Sequence, residues 1–122
     1  PKVLDHIQTL VHPLVAADRA TFLAASTAKV VLLDVPLLFE TGTDGLCDAI
    51  AVVSVPFDVQ KSRVLARGEM TEADFDLILA RQMPDAKKRS KARWVIPTLE
   101  LDDARIHVKA ILAEIDKDLA NA

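Results

Sequence analysis

Two carboxylates and three guanidinium groups are the residues whose types and spacing could do chemistry. Asp34 closes the apolar run Val30-Val31-Leu32-Leu33, and Glu40 closes the next one, Pro36-Leu37-Leu38-Phe39. Arg63 and Arg67 are four residues apart, so a helix would carry both on one face, and Arg81 follows in the next amphipathic stretch. Guanidinium forks match phosphate oxygens in a way that an ammonium group does not. An apolar strand ending in an acid is also the form in which phosphate-transferring enzymes help to hold Mg²⁺. In open α/β folds, ligands bind at the carboxyl ends of the strands. Plainer readings stand beside these. Asp34 could cap a turn, and the arginines could pair with Glu69, Glu72 or Asp74. Taken alone, Lys87, Lys88, Arg89 and Lys91 read as a solvated helix face. His6, His12 and His107 have no metal-ligand spacing; His12, before Pro13, either meets a ligand or satisfies a helix end.

Those side chains need a frame. Val3, Ile7, Leu10 and Leu14 recur at helical spacing. Pro13 is expected to end a first helix and to open a second that runs to about Ala25. Val30–Leu33 reads as a strand apolar on both faces, and 49–55 as another, ended by Pro56. Residues 41–45 form a turn region. A helix is expected over 57–67, broken by Gly68. Thr71 and Asp74 make a capping box for the next helix, which Pro84 ends. A short basic helix runs to Lys91, Trp94–Ile96 is a third strand, and a last helix covers 101–120. The order α-α-β-β-α-α-α-β-α, with buried strands, predicts one α/β domain over 1–122 built on a parallel sheet.

The bulk composition narrows the function classes. Of 122 residues, 51 % are hydrophobic and 27 % charged, so the chain can fold. The net charge of -3 argues against a general nucleic-acid binder. Residues 61–93 hold nine Lys/Arg and five acids, a local net of +4, which suits a local anion site. Cys47 is the single cysteine, so there is no internal disulfide and no cysteine-based zinc site; a reducing, cytoplasmic setting fits. No apolar run approaches a membrane span, so no membrane partner is expected. The sequence opens at Pro1 rather than Met and enters helical periodicity at once, and it is read as a piece of a longer protein.

Together these stretches resemble the dephospho-coenzyme A kinase family. HPLV at 12–15 is similar to its His-Pro helix break, and VVLLDVPLLFETG at 30–42 to its most recognisable internal stretch. The segment from 49 to 84, which includes Gln82-Met83-Pro84, resembles its strand, helix and lid, and KKRSKARWVIPT at 87–98 its final strand. The resemblance implies a P-loop kinase-like parallel sheet with flanking helices and a helical lid at roughly 63–91. It implies transfer of the γ-phosphoryl of ATP to the ribose 3′-hydroxyl of dephospho-CoA, with Mg²⁺. On it, Arg67 and Asp34 take catalytic places, Asp34 by way of the Mg²⁺. Glu40, Leu38 and His12 fall on the acceptor side. Arg63, Arg81, Lys87 and Lys88 fall on the lid and phosphates, and Pro97 and Thr98 near the adenine.

Three departures stand out. Ala92-Arg93 replaces the family's Ala-Asp, Thr98 stands where Asn is common, and the family's GxxxxGK[ST] loop is missing from a chain with only Gly42, Gly45 and Gly68. The isolated chain is therefore expected to be inactive and to bind no cofactor. In such kinases the P-loop strand lies between the strands that match 30–35 and 49–55. Without it, those two strands are expected either to pair with each other or to be covered in a homo-oligomer. The rival expectation is a non-enzymatic α/β nucleotide- or CoA-binding or assembly domain on the same scaffold; a milder one is another small-molecule kinase.

Overall fold

A computed structural model describes residues 2–122, which fall into two compact units, one up to Val35 and one of Pro36–Ala122. The first unit is dominated by α1 (Lys2–Ala25), a single helix with Pro13 inside it. The expected division at Pro13 does not occur. Proline removes one N–H from the hydrogen-bond ladder, and helical turns on both sides of it carry the helix through. The amide of Ser26 closes the end of α1 on the carbonyls of Phe22 and Leu23, at 3.1 and 3.3 Å.

The segment Val30–Val35 is not a strand, against expectation. Its exposure alternates residue by residue, as in an extended chain, and Leu32 is 88 % exposed. A strand takes its hydrogen bonds from a neighbour. Among the described residues the one sheet is made of two other strands.

In the second unit, a turn and a 3-10 helix (Thr43–Leu46) lead to β1 (Ala51–Ser54). α2 (Phe57–Ala66), α3 (Glu72–Ala80) and α4 (Asp85–Lys91) follow, then β2 (Trp94–Pro97) and α5 (Leu101–Ala120). β1 and β2 pair in parallel, with Ala51 opposite Trp94 and Ser54 opposite Pro97. Parallel neighbours need a crossover, and α2, α3 and α4 supply it. α4 lies against β1, and α5 returns onto β2.

Local signals set these boundaries. Gly68, at φ +73°, takes the left-handed position after α2. Thr71 caps α3: its hydroxyl accepts from the Asp74 amide, and the Asp74 carboxylate accepts from the Thr71 amide at 3.0 Å. The Thr71 hydroxyl and amide both donate to the Asp74 carboxylate and hold its pKa below the ordinary value. α2 and α3 pack through Phe57 and Phe75, with ring centroids 6.1 Å apart. Lys61 and Glu72 pair across the same two helices; their hydrogen bond raises the lysine pKa and lowers that of the glutamate. Phe75 and Ile96 are the buried hydrophobic side chains among the described residues, 4 % and 9 % exposed.

Candidate functional site

Arg67 sits at the C-cap of α2 and lines a pocket of about 160 Å³ between α2 and α3. Gln60 and Gln82 supply amides to that pocket, and Val64, Met70 and Phe75 give it an apolar wall. The same two glutamines also line a wider cleft of about 880 Å³, where Ser54, Pro56, Asp85 and Arg89 stand. That cleft opens where β1 ends, the edge at which α/β sheets bind ligands. The Asp85 carboxylate accepts from the Ser54 hydroxyl at 2.9 Å and from Arg89 Nε at 2.8 Å. Ser54, Gln60 and Asp85 are not among the residues that the sequence singles out as candidates. The i,i+4 spacing of Asp85 and Arg89 was the available signal; no local pattern could have brought Ser54 to Asp85.

Residues 36–42 fold into a tight turn. Leu37 adopts φ +56°, the left-handed region that non-glycine residues avoid. Its carbonyl accepts from the Thr41 amide at 3.0 Å and the Thr41 hydroxyl at 2.8 Å. The Leu38 carbonyl accepts from the Thr43 amide at 3.0 Å. The turn points Phe39 and Glu40 at α4. Glu40 Oε2 lies 3.3 Å from Lys88 Nζ, with the two side chains 15 % and 22 % exposed. The Lys91 ammonium stands 5.7 Å from the centre of the Phe39 ring. The predicted acceptor-side segment and the predicted basic helix thus meet.

Arg63 and Arg67 part company. Arg63 turns its fork onto β2's exit: Nη1 donates to the Thr98 carbonyl at 2.9 Å and Nη2 to the Leu99 carbonyl at 3.0 Å. Arg63 is thereby joined to the Pro97–Thr98 segment expected near the adenine. The unusual Arg93 also has a structural account. It pairs with Glu114 and Asp118 of α5 at 3.4 and 2.7 Å and lies over the Trp94 ring at 4.4 Å, while Trp94 Nε1 donates to Glu114 at 2.7 Å. A cation at 93 therefore answers two acids on the helix that covers β2.

The remaining candidates carry no side-chain hydrogen bond or ion pair of their own among the described residues. Arg81, at the C-cap of α3, is exposed, as is Lys87 on α4. His12, on α1, and Asp34 are exposed and belong to the unit up to Val35. No three His, Cys, Asp or Glu side chains among the described residues gather to hold a metal ion. Mg²⁺ beside a nucleotide needs only one or two carboxylates, because phosphate oxygens and water complete its shell. A single exposed carboxylate such as Asp34 is compatible with that chemistry. No helix among the described residues is long and apolar enough to cross a membrane.

A family model described as dephospho-CoA kinase matches residues 1–102. A dephospho-CoA kinase of Cereibacter sphaeroides is 51 % identical over 115 residues, covering 94 % of this chain and 58 % of the relative. One from Ruegeria pomeroyi is 50 % identical with the same coverage. One from Bradyrhizobium diazoefficiens is 45 % identical over 121 residues, 96 % of this chain and 61 % of the relative. The chain therefore spans about three-fifths of the length of the curated relatives it matches.

Proposed function

The chain belongs to the dephospho-CoA kinase family, and on that premise we propose that the whole protein phosphorylates the ribose 3′-hydroxyl of dephospho-CoA with ATP to give CoA. Phosphoryl transfer asks a protein for positioning and charge neutralisation rather than covalent chemistry. The residues are of the types that such work needs. The observation that carries the reading is the pocket that joins Arg67 to Gln82, because it brings together two separate stretches of the expected lid. Arg67 is assigned to the transferring phosphoryl group, with Arg81 and Lys87 as further cations of the lid. Asp34 is the carboxylate that would help to hold Mg²⁺, which would supply charge neutralisation for the phosphates. Glu40, Leu38 and His12 are assigned to the acceptor, and Pro97 and Thr98 to the adenine. Arg63 supports that last segment through its two carbonyl contacts.

The phosphate cradle of ATP needs a loop of backbone N–H groups at a helix N-terminus. These 122 residues contain no GxxxxGK[ST] sequence. The chain by itself is therefore assigned the acceptor side and the lid, not the transfer. A cytoplasmic location suits the one free cysteine, Cys47.

The test is an assay of the whole protein with ATP, Mg²⁺ and dephospho-CoA, followed by chromatography for CoA. CoA should form with the whole protein and not with the 122-residue chain alone. No CoA from the whole protein, with dephospho-CoA still bound, would favour the non-enzymatic binding domain. Turnover by the 122 residues alone would sink the assignment of roles to the missing loop.

A further inference from the structure

We infer that Lys88 is a positioning residue that acts through Glu40, holding the 36–42 turn in shape for the acceptor. The inference rests on the proposed function, in which that turn lines the dephospho-CoA side. Among the described ion pairs, Lys88–Glu40 is the one in which both partners are shielded, at 22 % and 15 % exposure. Both Glu40 carboxylate oxygens are buried, and neither accepts a hydrogen bond among the described residues. The Lys88 charge, 3.3 Å away, is what offsets that carboxylate. A buried carboxylate stripped of its counter-charge is strongly disfavoured and moves toward water.

The turn depends on such a hold. Leu37 carries a left-handed backbone at φ +56°, a conformation that persists only where its surroundings fix it. Lys88 and Lys91 are three residues apart on one face of α4, and they engage Glu40 and the Phe39 ring. At its other end α4 is tied to the exit of β1 by Asp85 and Ser54. α4 therefore holds the turn at two neighbouring points and is itself anchored to the sheet.

This role differs from that of a phosphate ligand, and kinetics separate the two. In the whole protein, Lys88→Met should raise KM for dephospho-CoA at least about tenfold, because displaced positioning groups forfeit that much or more. KM for ATP should stay within about twofold. Lys88→Arg should restore most of the loss, since it keeps the charge. The double variant Glu40→Gln/Lys88→Met should lose no more than Lys88→Met alone, because the two residues act as one unit. If Lys88→Met does not fold, the double variant, which buries no lone charge, gives the same KM split. A rise in KM for ATP with KM for dephospho-CoA unchanged would make Lys88 a phosphate ligand and overturn the inference. Unchanged constants for both substrates would overturn it too. A wild-type protein that makes no CoA would instead defeat the function on which it rests.

Discussion

Arg63 and Arg67 leave the same helix four residues apart, yet only Arg63 has its guanidinium fork taken up by backbone carbonyls. Arg67 lines the pocket between α2 and α3. In the whole protein, Arg67→Ala should lower kcat/KM by roughly 10²–10³-fold, the usual loss when one charge-stabilising donor is removed. Retention of more than about a third of wild-type kcat/KM would remove Arg67 from the chemistry. A second test at this scale concerns Thr71 and Asp74. Thr71→Ala should destabilise the fold by about 1 kcal/mol, as loss of an N-cap does. The folded-state pKa of Asp74 is depressed by Thr71. Its contribution is therefore complete above its ordinary value of 3.8 and is lost as pH falls through the lower folded value. The difference in urea midpoint between wild type and Asp74→Asn should be constant near neutral pH and shrink below pH 3.8. A difference that grows on acidification would contradict the capping box.

The helices of the second unit could be read from residue spacing because their signals are local. Thr71 with Asp74, Gly68, and the prolines at 56 and 84 each act within one turn of chain, and α2, α3 and the start of α4 fall close to where those signals put them. Pro13 and the run 30–33 misled for opposite reasons. A proline's missing N–H is a local defect that a long helix tolerates, whereas a strand is not local at all and waits for a neighbour. The interface of α2 and α3 depends on one buried ring. Phe75→Ala should cost about 3–5 kcal/mol and collapse the pocket that holds Arg67. Chemical denaturation measures the first and the accessibility of a cysteine placed at Met70 the second. A loss below about 1 kcal/mol would mean that Phe75 is not the centre of this packing.

For the molecule as a whole, apolar surface left uncovered sets the behaviour. Val53 of β1 is 65 % exposed, and on α5 Leu101, Ile106 and Leu112 are 69 %, 64 % and 51 % exposed. Among the described residues the sheet has two strands, and each has one unpaired edge. Unpaired edges and contiguous apolar faces recruit other chains. The 122-residue chain should therefore self-associate, with a mass in light scattering that rises with concentration. A constant monomer mass into the tens of micromolar range would contradict a covered-edge assembly.

Residue types alone determined which chemistry to look for: guanidinium groups for phosphates, an acid after an apolar run, and a capped helix between glycine and proline. They also determined the α/β class, because periodicity and caps are properties of short stretches. Only the tertiary structure decided who meets whom. It gave Arg63 to the carbonyls after β2, Lys88 to Glu40 and Arg93 to the acids of α5. These partners are separated by 21 to 48 residues of chain. No periodicity reaches across such distances; the pairs exist because packing of the intervening elements brings the groups together, and for Lys88 and Glu40 it does so where water is partly excluded.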